Sequence, residues 1–398
     1  MIIQENKTPK ENALAGPRLI AIIKSVIWPA KSTAPITLNA AELAAVGRLA
    51  AKHDVVHFIA LAVAQKALQI PKEKEELYQG KMLSTAVCVE RLDYAYGQIC
   101  QTLQQAKVPF VPLKGAVIKN LYPKSWMRTR CDIDILVQLQ QTEQAIRALQ
   151  QQNGYTVEFK NYHDYSLLKQ GAPHIELHFS LKETHSNIDA LLEHAWQYAE
   201  PTAPGSFEYR FTPAFFAFHQ YAHAYYHFLN GGCGVRTVLD LFLLNSASPE
   251  EYGGAKPLLQ QTGILQFAEK LNELGRAWFA GAPKTQALTL LENYIFCGGV
   301  YGEQANRIAL QQQKQGGKLR YAAAKIWPSP AVLKNHYPAL RRHPWLYPAF
   351  QVRRWGKLLF CGGVRRSVRE LSVNSRIPAQ TAGQTQKLLK ELGLEKRR

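Results

Sequence analysis

From Leu38 to Leu68 apolar residues recur at three- and four-residue steps, and they do so again from Leu83 to Lys107. That period is helical, and Asn39 stands where an N-cap belongs. Upstream, Pro17–Trp28 predicts a short amphipathic helix with Pro17 in its first turn. After Lys107 the period shortens. Val108–Leu113 reads as a strand, which Pro109 and Pro112 confine to a sheet edge. A short helix over Ala116–Tyr122, a strand over Asp132–Val137 and a helix over Thr142–Asn153, ended by Gly154, follow. Tyr155–Lys160, Tyr165–Lys169 and His174–Leu181 are further strands, with a turn at Gly171-Ala172-Pro173. Helical spacing returns from Ile188. Pro213–Leu244 sets His219, His223 and His227 at steps of four, breaks at Asn230-Gly231-Gly232, and resumes with Arg236 and Asp240 four apart. Trp327–Pro348, rich in proline and aromatics, predicts an extended strap, and the last 30 residues a loosely held basic tail.

These elements describe an α+β protein: a small mixed-sheet core with helical regions on its N- and C-terminal sides. Its segments are an extension (1–37), a helical region (38–107), the α/β core (108–182), a second helical region (183–325), the strap (326–365) and the basic tail (366–398).

Within the core the chemistry is concentrated. Asp132 and Asp134 sit two apart in an otherwise apolar strand, so they share a sheet face. Burying two like charges side by side demands compensation, and a divalent cation is the simplest source. Glu176, in a second apolar strand, is a third carboxylate. Lys114-Gly115 lies between a strand and a helix, a turn that can offer backbone N–H groups and an ammonium to phosphate. Arg128 and Arg130 precede the acidic strand, where they either contact a triphosphate or offset the acids. His174, Glu176 and His178 share a strand face. Neither the P-C-x-x-C of a zinc deaminase nor the H-E-x-x-H of a zincin is present, nor is a Rossmann or Walker A glycine pattern.

Charge changes the picture at the C-terminus. The net charge is +18. From Tyr301 onward there are 20 Lys and Arg against 4 Asp and Glu, so the rest of the chain carries only +2. Such a region suits an anionic membrane surface or polymer, or is a solvated face without a partner. Lys387–Arg398 mixes leucines with cations as a surface-binding amphipathic helix does. The six cysteines are scattered without a CxxC, as expected of reduced buried thiols in a cytoplasmic protein. No apolar run is long enough for a bilayer span, and the N-terminus lacks a secretory-signal layout.

The order Leu113-Lys114-Gly115, Tyr122, Arg128, Asp132-Ile133-Asp134-Ile135-Leu136-Val137 and Ile175-Glu176-Leu177-His178 resembles the uncharacterised nucleotidyltransferase family of the DNA polymerase β-like superfamily. Ala50-Ala51-Lys52-His53-Asp54, His223 with His227, and Gly234, Arg236 and Asp240 are similar to that family as well, as is the strap. The resemblance implies a cytoplasmic enzyme, peripheral to a membrane if the basic end docks on one. Two Mg²⁺ ions would be held by Asp132, Asp134 and Glu176, aligning an NTP for attack by an acceptor hydroxyl, in a setting related to polysaccharides. Lys114, Gly115, Arg128 and Arg130 would bind the nucleotide, and His178, His223, His227, Arg236 and Asp240 would wall the substrate cleft. One departure stands out: superfamily members carry Gly-Ser in the turn, where this chain has Lys114-Gly115-Ala116. The departure leaves a rival, a non-catalytic nucleotide-sensing or scaffold protein docked through its basic end.

Overall fold

The computed structural model describes residues 9–29, 34–183, 186–300, 302–337, 339–360 and 363–395. A five-stranded mixed sheet is flanked by helices, which is the expected α+β architecture. Its strands are β1 (Phe110–Pro112), β2 (Asp132–Val137), β3 (Thr156–Lys160), β4 (Asp164–Leu168) and β5 (His174–His178). Their order is β1-β2-β5-β4-β3. Only β2 and β5 run parallel, and they pair Asp132 with His174, Asp134 with Glu176 and Leu136 with His178. The proline-bearing β1 does lie at the edge, antiparallel to β2.

The two sheet faces have opposite fates because side chains alternate. Ile133, Ile135, Val137, Ile175 and Leu177 point one way and pack with Leu92, Ile99 and Leu103 of the Glu75–Gln105 helix and Ala145, Ile146 and Leu149 of the Thr142–Asn153 helix. The latter helix ends at Gly154 in the left-handed conformation, as its sequence predicts. The carboxylates of β2 and β5 point the other way, toward a larger helical body whose core holds Leu136 and Val111 from the sheet.

That body is built from both ends of the chain. Asn39 caps the Ala40–Lys52 helix in a reciprocal capping box with Glu42. The N-terminal helix is longer than its sequence suggests, running over Pro9–Ile27 with Pro17 inside it. Its residues Leu19, Ile22, Ile23 and Val26 are buried, and this packing outweighs the hydrogen bond that the proline removes. Helices Pro213–Leu229 and Val235–Ala247 are joined by the glycine corner. That corner serves backbone packing: a Cβ on Gly232 would stand 2.7 Å from the Cα of Gly298.

The C-terminal third differs from expectation. The strap region is mostly helical, over Pro330–His336, Ala339–Arg342 and Tyr347–Phe360. Pro330, Pro344 and Pro348 sit in first turns, where the missing N–H has no partner to lose. The terminal segment is not loose either. Leu388, Leu389 and Leu392 of the Ala379–Glu391 helix and its cap are buried in the main core. Lys387 is thus no part of a surface-binding helix, while Lys396–Arg398, the last residues of that proposed segment, lie outside the described residues. Cys88 and Cys131 are exposed and not buried, and Cys361 lies outside the described residues. Among the described residues no helix is long and apolar enough to cross a membrane.

Two histidines pin the N-terminal helices to the rest. His57 Nε2 donates to the carbonyl of Met127 at 2.9 Å, and His53 Nδ1 accepts from the Val235 N–H at 3.1 Å. Burial pushes both imidazoles down from 6.5 to about 4. The unfolded chain therefore binds more protons between those values, so their stabilisation is complete above pH 6.5 and is lost as pH falls toward 4. Protonating each within the fold costs on the order of 3 kcal/mol, a penalty that appears only in acid. We expect the melting temperature to fall on acidification from pH 6.5 to 5, above the usual carboxylate range, and His57→Gln to flatten that profile.

Candidate metal and nucleotide site

The polar sheet face opens on a cavity of about 420 Å³ lined by Lys114, Asp132, Asp134 and Glu176, with His178 beside them. Residues of the Pro213–Leu229 and Val235–Ala247 helices, His223, His227 and Arg236, close its far side. Register explains the grouping. Asp134 and Glu176 are direct neighbours across parallel strands, and His178 follows Glu176 by two, on the same face.

Asp134, Glu176 and His178 form the tightest group, with ligand atoms all within 4.8 Å of one another. His178 Nε2 lies 3.0 Å from Asp134 Oδ1 and 3.5 Å from Glu176 Oε2. Burial opposes a charge on His178, but hydrogen bonds to the two carboxylates raise its pKa overall. Lys114 Nζ reaches the same Asp134 oxygen at 2.9 Å. Burial alone would lower Lys114, and the charges of Asp134, Glu176 and Glu183 more than reverse that. Asp134 is likewise pushed up by burial and pulled well below the carboxylate range by Lys114 and His178. Asp132 lines the cavity outside the tight group. Its pKa is raised by burial and by the charge of Asp134, with partial relief from Lys114.

The arginines on the wall are committed elsewhere. Arg128 grips Asp240 with Nε at 2.9 Å from both carboxylate oxygens, and Tyr122 Oη donates to the same group at 2.6 Å. Arg130 pairs with Asp93 of the long helix and stacks on Tyr96. Arg236 reaches Asp54 at 2.6 Å and the Thr129 carbonyl at 3.1 Å. Arg236 and Asp240, four apart on one helix, thus bind different partners instead of each other. Asp54, Asp93 and Asp240 do not line the main cavity. Inside it stand Asp132, Asp134, Asp164, Glu176 and Glu183, against the single lysine Lys114. Once the arginines are neutralised from behind, the cavity is an oxygen-rich site short of positive charge. With His178 acting as a donor to the carboxylates, the remaining ligand set is oxygen, which fits Mg²⁺.

Lys114 itself is held with φ +45° at the turn, a conformation that non-glycine residues rarely adopt. Gly115 follows at the start of a four-residue helix; a Cβ there would stand 3.4 Å from Arg128 Nη1. His223 and His227 meet through their Nε2 atoms at 2.9 Å, and His223 Nδ1 faces Glu183 Oε1 at 3.3 Å. His219, one turn earlier, is buried and does not line the cavity.

Several residues escape a reading by sequence. Asp164 on β4 pairs across from His178, is 2% exposed, and lines the cavity with Asn161 and His163. Its alternation with Ser166 on one strand face was the available signal. Asp93 and Glu183 had none, and Asp54, visible within the Ala50–Asp54 run, gave no sign of its partner, because each acts across more than thirty residues of sequence.

The chain belongs to the uncharacterised nucleotidyltransferase family, whose model matches residues 39–280. Nucleotidyl transfer is thus its general class of chemistry, with an NTP as the implied substrate. No curated protein and no solved structure matches the chain.

The charge balance predicts how single substitutions act. Asp132→Asn relieves a buried like-charge contact and should stabilise the metal-free protein by about 1 kcal/mol. Mg²⁺ or Mn²⁺ should raise the melting temperature of the native chain, and Asp134→Asn or Glu176→Gln should abolish that rise. Asp240→Asn removes the buried partner of Arg128 and should cost about 3–5 kcal/mol, read by denaturant unfolding.

Proposed function

We propose that this chain is a Mg²⁺-dependent nucleotidyltransferase that moves a nucleotidyl group from an NTP to a hydroxyl-bearing acceptor of polysaccharide-related metabolism. The observation that carries the reading is the carboxylate face of β2 and β5, with Asp134 buried, Asp132 and Glu176 half-buried, all register-matched and deficient in positive charge.

Asp132, Asp134 and Glu176 would hold two Mg²⁺ ions. Bound there, the metal supplies Lewis acidity toward the triphosphate and lowers the pKa of an acceptor hydroxyl. The protein's own groups do the rest. His178 donates to Asp134 Oδ1 and fixes the orientation of that carboxylate. Lys114, the cavity's one lysine, can exchange its contact with Asp134 for a phosphate oxygen. The Gly115 turn lies beside Arg128 and Arg130, which border the phosphate side as hydrogen-bond donors held still by their acidic partners. Arg236, tied to Asp54, borders the same cavity. His223 and His227 face the acceptor from the opposite wall, sharing one hydrogen bond between their Nε2 atoms. Through its basic C-terminal region the protein meets an anionic membrane or polymer.

A second reading follows from the Lys114–Asp134 ion pair. It places a fixed ammonium on a carboxylate that a metal would use, as suits a protein that senses a nucleotide without turning it over. Transfer assays separate the two. Radiolabelled NTPs incubated with cell extract and Mg²⁺ should give a labelled product, suppressed by EDTA and absent for Asp132→Asn. His227→Ala should lower transfer with NTP affinity and melting temperature little changed. NTP binding that never leads to a labelled product for any base would favour the sensor.

A further inference from the structure

Twenty large apolar side chains stand exposed among the described residues, and nine of them fall between Leu319 and Val368, about an eighth of the sequence. Trp345 is 74% exposed, Val352 72% and Val368 59%. Concentrations of this kind mark interaction surfaces.

The same stretch is rich in cations without carboxylate partners among the described residues; Arg353 lies over the Tyr337 and Phe350 rings and Arg354 donates to the Ile326 and Lys325 carbonyls. Between Ala339 and Arg376 the sequence has nine Lys and Arg and one acid, Glu370. Glu370 is buried and held by Arg307 at 3.0 Å and Lys325 at 2.7 Å, both from outside that stretch. Arg341, Arg342, Arg353, Arg365 and Arg369 form no ion pair among the described residues. The contrast with the cavity arginines, each matched to its own carboxylate, is complete.

The two adjoining helices Tyr347–Phe360 and Gly363–Arg376 pack on each other and have distinct inner and outer faces. Gln351, bonded to the Pro328 carbonyl at 2.9 Å, marks the buried side of the first. Glu370 and Asn374 mark that of the second. Outward on the second helix, Val364 and Val368 run beside Arg365 and Arg369, each pair one turn apart. Outward on the first, Val352 adjoins Arg353, with Trp345 at its entry.

We propose that this outer face docks on an anionic lipid bilayer. The inference deepens the reading that the basic C-terminal region meets an anionic partner, and it does not depend on nucleotidyl transfer. A phosphate polymer would match the arginines and leave exposed valines and a tryptophan without a role. A bilayer uses both. Apolar side chains enter the boundary between headgroups and acyl chains, tryptophan settles at the interface, and arginine stems lie along the apolar zone with their guanidinium groups at lipid phosphates. The terminal helix takes no part, since its leucines are used in the core.

The test uses the full-length chain, because truncation would strip Leu388, Leu389 and Leu392 from that core. The native protein should co-sediment with vesicles of phosphatidylcholine and phosphatidylglycerol at low salt, and not with phosphatidylcholine alone. Val352→Asp with Val368→Asp should weaken binding about tenfold or more, and Trp345→Ala should weaken it alone. Leu83→Asp with Val87→Asp, an equal change of charge at exposed sites on the Glu75–Gln105 helix, should leave it unchanged. Melting temperatures of all variants should match the native chain. The proposal is overturned if the mixed vesicles fail to bind, or if both aspartate pairs weaken binding equally. It is also overturned if single-stranded RNA binds as tightly as vesicles and is indifferent to the Val352 and Val368 changes. Loss of binding with nucleotidyl transfer intact, or the reverse, shows which of the two readings has failed.

Discussion

Putting carboxylates on the buried face of a sheet is the constraint from which most of this structure follows. Asp134 is 8% exposed and accepts from both Lys114 and His178. An unpaired carboxylate at that depth would take up a proton or destabilise the fold. The chain therefore bends Lys114 into a positive-φ turn and buries a histidine among acids. Positive charge is brought to the site, and the deficit that remains is what the proposed cation would fill.

The arginines show how far that constraint extends. Arg128, Arg130 and Arg236 face the cavity, but their carboxylate partners come from two helices and a turn outside the sheet. Asp93 lies on the long helix before β1, Asp54 follows the Ala40–Lys52 helix, and Asp240 is on the helix after the glycine corner. Segments on both sides of the sheet core are thus part of its electrostatics. A sheet domain cut out at 108–182 would lose all three counterions. The family match over residues 39–280 spans the same unit, from the helix before Asp54 to beyond Asp240.

How much of this was legible in the sequence depends on the range of the forces involved. Asp132–Val137 and Thr142–Asn153 appear in the structure with the bounds that periodicity assigns them, because a two-residue or 3.6-residue pattern and a terminal glycine are local signals. The parity argument likewise put Asp132 and Asp134 on one face, and the resemblance put Glu176 beside them. What sequence order misleads about is partner choice. Arg236 and Asp240 have helical spacing for an ion pair, but Asp54 and Arg128 offer better geometry from afar. The prolines of the C-terminal third suggest extended chain, since composition does not say that Pro330, Pro344 and Pro348 fall in first turns. His178 was visible as a residue on the acidic face, but its place as a donor to Asp134 depends on the β2–β5 register.

Two populations of basic residues can now be told apart by what stands behind them. Those around the cavity are neutralised at close range, so their contribution to the field outside is small and their role is to shape and polarise one enclosed volume. Those on the outer helices of the C-terminal third have no such partners, so their field reaches into solvent over about one Debye length, some 8 Å at physiological ionic strength. Net charge alone does not make this distinction. A total of +18 would be compatible with a general affinity for polyanions everywhere on the surface. The pairing pattern separates the arginines of the C-terminal helices, which form no ion pair among the described residues, from those that line the cavity. On the proposed reading, an anionic surface and an anionic nucleotide would draw on different arginines.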